Sequence, residues 1–171
     1  FENGPNQPFV FSNGPGIAVD VDITASKNEV WDLMTDINFG SKFSNEFVGA
    51  NWDQESPSLK LGDTFTGRNQ NEHIGEWTAK CTIDVLESGR LFGWCTGDVS
   101  TPGARWRYEL YDLGGTIRVR HRVILGPGES GLTRIIAENP QNEAKIIRNR
   151  LSALRHNMQM VLDGMKASLE D

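Results

Sequence analysis

The chain alternates apolar and polar residues with a period of two over most of its first 125 positions and then switches to helical spacing. Ile17, Val19, Val21 and Ile23 alternate with Ala18, Asp20, Asp22 and Thr24, which predicts a half-buried strand over 17–24. Ser26-Lys27-Asn28-Glu29 has the spacing of a capping box, so a helix carrying Val30, Trp31, Leu33 and Met34 should run to about Asp36. Asn38 and Gly40 break it. A second short helix is expected across Ser41–Asn45, with Phe39, Phe43 and Phe47 as its apolar side. Six further strands follow: Val48–Glu55, Asp63–Asn71, Glu76–Leu86, Leu91–Asp98, Ala104–Tyr111 and Thr116–Leu125. Their separators carry turn residues (Ser56-Pro57-Ser58, Glu87–Arg90, Thr101-Pro102-Gly103, Asp112–Gly115), and such short links make antiparallel hairpins.

With Asp112–Gly115 as the turn, Trp106, Tyr108, Leu110, Ile117, Val119 and His121 fall on one face. Arg105, Arg107, Glu109, Arg118, Arg120 and Arg122 fall on the other, a sorting that a one-residue slip would destroy. His121 then points inward, opposite Trp106 and near Tyr108. A four-residue Glu87–Arg90 turn buries Phe92 and Trp94 beside Ile83 and Val85 and puts Cys81 and Cys95 on opposite faces. A three-residue turn would oppose the cysteines. The first is favoured because it buries both aromatics. After Pro140, Ile147, Leu151, Leu154, Met158, Val161, Leu162, Met165 and Leu169 recur on one side of a helix over about 141–169. Such a helix is roughly 42 Å long and needs a broad apolar surface, which the inner face of the sheet supplies. The fold class is α+β: seven antiparallel strands curved around a long C-terminal helix, with two short helices after the first strand.

The 171 residues fit one domain over 17–171, preceded by an irregular Gly/Pro/Asn-rich arm over 1–16 in which Phe9, Val10 and Phe11 should dock. No apolar run approaches the roughly 20 residues that span a bilayer, and no signal-peptide pattern is visible, so a cytoplasmic location is the default. The chain opens on Phe1 rather than Met, which leaves completeness of the N-terminus open. A net charge of −6 argues against nucleic acid as a partner. The arginine stripe reads better as a surface ladder: with the first strand beside the last, Asp20 and Asp22 would face arginines and Glu109 would complete the set. Three His (His73, His121, His156) and two Cys have no metal-ligand spacing, and no phosphate loop, dinucleotide fingerprint or nucleophile elbow is present, so no metal or cofactor is expected.

Several strings resemble one family. Leu61-Gly62-Asp63-Thr64-Phe65-Thr66-Gly67-Arg68-Asn69 is similar to the G-x-x-F-x-G-x-N stretch of the actinobacterial polyketide cyclase/dehydrase-like branch of the SRPBCC superfamily, the helix-grip proteins that include START domains and the birch-pollen allergen. Trp77 with Cys81, Gly89-Arg90-Leu91-Phe92-Gly93-Trp94, and Arg105-Trp106-Arg107-Tyr108-Glu109-Leu110 before Gly114-Gly115-Thr116 resemble its later strings. Phe43-Ser44-Asn45-Glu46 with Trp52 departs from its W-S-P-E pattern at Phe43 and Asn45. The resemblance covers about 17–170. It implies a helix-grip fold and a pocket for a hydrophobic ligand, without a shared catalytic motif.

Candidate pocket residues are Phe39, Phe43, Trp52, Phe65, Asn69, Trp77, Phe92, Trp94, Trp106, Val119, Leu154 and Met158. For each aromatic, plain core packing is the competing reading. Together they suit flat ligands. Acid/base candidates are His121, Tyr108 and Glu46. For His121 the alternative is a satisfied buried imidazole, and for Glu46 an exposed helix-end carboxylate. Three functions stand open. The first is a carrier for a lipid, polyketide or sterol-like molecule. The second is a cofactor-independent aromatase/cyclase or dehydratase. The third is an interaction scaffold with a filled interior. The carrier is favoured because His121 alone reads as a clearly inward ionisable group. Oligomeric state is open, a homodimer included.

Overall fold

The computed structural model describes residues 9–55 and 59–170. The Ser56-Pro57-Ser58 turn and the first eight residues of the arm lie outside the described residues. Seven strands form one antiparallel sheet: β1 Gly16–Ile23, β2 Phe47–Trp52, β3 Thr64–Asn71, β4 Gly75–Glu87, β5 Leu91–Thr96, β6 Ala104–Asp112 and β7 Ile117–Leu125. Their spatial order is β1-β7-β6-β5-β4-β3-β2. Helices are α1 Lys27–Thr35, α2 Gly131–Glu138 and α3 Glu143–Glu170.

α1 starts where the sequence marks it. The Ser26 hydroxyl accepts from the Glu29 amide and the Glu29 carboxylate accepts from the Ser26 amide. The expected second short helix is instead a 3-10 turn at Phe39–Lys42. Helix α2 was not legible as a helix. Its Ser130 cap is matched by Thr133 rather than Glu or Gln, and Gly131 and Thr133 are poor helix formers. Its Leu132 and Ile136 pack partly against the core.

The two faces sort as the alternation predicts, with two corrections of register. The β6–β7 turn is Leu113–Thr116, because Asp112 pairs with Ile117 and the Leu113 amide donates to the Thr116 carbonyl. His121 therefore lies opposite Tyr108, and Trp106 lies opposite Val123. The β4–β5 loop has three residues, since Glu87 pairs with Leu91. The fourth residue appears in β4 itself, as a bulge between Ile83 and Val85. Past the bulge Ile83 pairs with Trp94 and Thr82 with Cys95, while Cys81 pairs with Thr96, so the cysteines do face opposite sides. The bulge also turns Val85 to the outer face and gives its inward place to Leu86.

On the outer face Arg120 pairs with Asp20 at 2.7 Å, Arg118 with Asp22 at 2.7 Å and Arg122 with Glu109 at 3.6 Å. Asp84, left unpaired in the ladder by the bulge and 10% exposed, holds Arg105 at 3.1 Å and Arg107 at 2.9 Å. Arg107 also donates to the Trp106 carbonyl at 2.7 Å as it crosses Gly93, where a Cβ would come within 2.7 Å of its guanidinium. Glycine is required there for the arginine to lie flat.

α3 runs along β1 and buries Ile147, Leu151, Leu154, Met158, Val161, Leu162 and Met165. Its N-terminus receives the described part of the arm, where the Phe11 amide donates to Glu143 at 2.8 Å. Its C-terminus meets the end of β1, where Lys166 donates to the Asp22 carbonyl at 2.7 Å. Among the described residues, no helix is long and apolar enough to cross a membrane.

Candidate functional site

The concave face of the sheet packs into one core with α3, and its two ends differ in burial. At the α1 end, Ile23, Val30, Met34, Leu110 and Ile117 are all buried and close it. At the other end the β3–β4 hairpin projects past the end of β5, with Asn69 and Trp77 paired on its concave side and half-buried. Trp94 and Trp106 lie opposite each other on the same concave face and are partly exposed.

Five of the expected lining aromatics, Trp52, Phe65, Phe92, Trp94 and Trp106, meet in one cluster. Trp52 meets Phe65 edge-on at 5.6 Å, and Phe65 meets Trp94 at 5.9 Å. Trp94 is 5.5 Å from Phe92, 6.1 Å from Tyr108 and 6.1 Å from Trp106, nearly parallel to the last. His121 lies behind this pair, 5.6 Å from Trp106 and stacked on Tyr108 at 3.9 Å. Val119 is fully buried one step toward the closed end, and Leu154 and Met158 are buried on α3.

Phe39 and Phe43 stand apart from the cluster. Their rings are 5.3 Å apart, and Phe43 lies on the backbone of α3 at Gly164, where a Cβ would approach the ring to 2.5 Å. Asn157 of α3 accepts from the Asn45 amide at 2.7 Å, and Arg150 holds Glu46 through both carboxylate oxygens at 2.6 and 2.7 Å. Residues 43–46 thus form a strap fastened at positions 164, 157 and 150, two helical turns apart each time. Glu46, 12% exposed and also reached by the Asn71 amide at 3.3 Å, is a structural anchor rather than a free base. It precedes β2, and four strands separate β2 from β7, so the structure does not bring it to His121. Arg150, Asn157 and Gly164, over a hundred residues away along the chain, carry no local signal of this role.

His121 is 5% exposed, and both of its ring nitrogens are buried without a hydrogen-bond partner. Burial alone pushes its pKa down to about 3, so the imidazole is neutral at physiological pH. Burial likewise pushes the Tyr108 phenol up. Cys81, facing Phe65 across β3–β4, is pushed up to about 12 by burial and is an inert thiol. Among the described residues no group of three or more His, Cys, Asp or Glu could hold a metal ion. Two open surface grooves, of about 440 and 400 Å³, lie elsewhere: one beside Asp20, Asp22 and Lys166, the other between Phe11 and α2. The predicted lining residues border neither.

No protein-family model matches the sequence, and no curated protein matches it. Solved structures do match. A polyketide-cyclase-like protein of Corynebacterium glutamicum superposes with a TM-score of 0.62 at 22% identity, over 89% of this chain and 90% of that one. An aromatase/cyclase from a Streptomyces species gives 0.61 at 11% identity, over 91% and 93%. A major latex-like protein of Panax ginseng gives 0.61 at 8% identity, over 90% and 96%. These structures share a seven-stranded antiparallel sheet with a long C-terminal helix, and this chain has the same helix-grip α+β fold.

Proposed function

We propose that this chain binds a small hydrophobic molecule between the sheet and α3, reaching it from the open end past Trp94 and Trp106. The observation that carries the reading is His121. A buried imidazole with neither nitrogen satisfied costs stability, and native proteins rarely leave one without reason. A ligand bearing a polar group would satisfy it. The half-buried indoles in front of it supply flat apolar walls.

Carriage fits the chemistry better than catalysis. An efficient acid or base needs a pKa near the working pH. Burial moves His121 and Tyr108 away from it, each toward its neutral form, and Glu46 is committed to Arg150. The cyclase reading keeps one support, that an aromatase/cyclase shares the fold. The pair it would use is a hydrogen-bonding pair rather than a proton-transfer pair.

Native mass spectrometry of protein purified from its own host tests the proposal. The expected result is a co-purifying small molecule that is lost from His121→Ala, with a smaller effect on the melting temperature. Apo protein that takes up no hydrophobic probe and releases none on unfolding would favour a scaffold with a filled interior.

A further inference from the structure

The concave face is almost free of charge. Among the described residues the buried ionisable side chains besides the Tyr108 phenol and the two thiols are Asp63 and His121. Asp63 belongs to the loop before β3, where it accepts from the Lys60 amide at 3.0 Å. The arginines nearest the cluster along the chain, Arg105, Arg107 and Arg122, point through the sheet to its other side and are paired there with Asp84 and Glu109. Arg150, on the α3 side of the strap, is held by Glu46. A ligand carboxylate reaching His121 would find no cation among the described residues of the concave face. It would lose its hydration without compensation.

The neutral imidazole offers one donor and one acceptor. Tyr108 covers it, with the two ring planes 11° apart, and the flat faces of Trp94 and Trp106 lie between it and the open end. A hydroxyl or carbonyl on a planar ring system matches this arrangement, and a flexible anionic chain does not. We infer that the site selects uncharged, flat aromatic alcohols or ketones that deliver one hydrogen-bonding group to His121, and rejects carboxylates of the same shape. This inference rests on the binding reading above and adds the ligand's charge and polar group to it.

Naphthol and naphthoate have the same ring system and differ in charge at pH 7, so titration calorimetry of both against the full chain tests it. Naphthol should bind on the order of 100-fold more tightly than naphthoate, the cost of stripping an unpaired charge of water. His121→Phe should weaken naphthol about 5- to 10-fold, one hydrogen bond's worth, and His121→Gln should recover most of that loss. Far-ultraviolet circular dichroism and melting of both variants separate this from misfolding. If naphthoate binds as tightly as naphthol, or if both variants bind naphthol like the parent, the inference is wrong and the binding reading stands. If neither compound binds, the binding reading fails and takes the inference with it.

Discussion

Strand β7 presents two opposite treatments of polar groups one residue apart. Arg118, Arg120 and Arg122 point outward, and each finds a carboxylate on a neighbouring strand. Arg122 is the loosest of the three, with its Nε buried and unbonded. His121, between two of these arginines, points inward and finds nothing. The same sheet that sets five arginines against carboxylates leaves its one inward imidazole alone. On the outer face every arginine of the strand has a carboxylate, and only the Arg122 Nε is left over; on the inner face the imidazole has no hydrogen-bond partner at either nitrogen.

Acid should break this contrast most strongly. The unfolded chain protonates His121 below its ordinary value of 6.5, whereas the folded chain resists until about pH 3. Through His121 the fold carries no proton penalty above 6.5, and it is destabilised progressively as pH falls through that window, on the order of 5 kcal/mol at the acid end. The Arg120 and Arg118 guanidiniums hold Asp20 and Asp22 below the usual carboxylate value of 3.8, so those pairs persist until the pH drops further. Urea unfolding between pH 7 and 4 should show the parent weakening and His121→Phe nearly flat. An equally steep variant would mean that His121 is not the group responsible.

Removing the buried outer anion comes next. Asp84→Ala strands Arg105 and Arg107 behind the Trp94–Trp106 pair, and should cost about 3 kcal/mol of unfolding free energy, measured by urea denaturation. Glu46→Gln weakens the strap's last fastening and should cost about 1 kcal/mol, since Arg150 can still reach water. The smallest effect belongs to the exposed end of the ladder. Asp20→Asn should cost about 0.3 kcal/mol after solvent screening, and nothing measurable in about 1 M salt. A loss at Asp20 as large as that at Asp84 would erase the distinction between the ladder's rim and its buried centre.

The sequence predicted the faces well because alternation fixes which side a residue takes. It left registers open, because a two-residue slip keeps every side chain on its face. That is why His121 could be read as inward while its partner was given as Trp106 instead of Tyr108. The bulge at Asp84 adds a residue without any Gly or Pro to mark it, so Val85 and Leu86 exchange faces unannounced. The aromatic cluster was legible almost whole, since it follows from parity alone. The fastening of Glu46 was not, because Arg150 approaches it from 104 residues away and only the closed fold brings them together.

The strap also bears on how the molecule is made. Its three fastenings lie on α3, after all seven strands in the chain. A ribosome therefore delivers all seven strands before the helix that packs on them, and residues 43–46 meet their first fastening when position 150 emerges and their last at 164. During that interval the aromatic concave face of the sheet is open to the surrounding solution, and it is shielded only once the helix packs onto it.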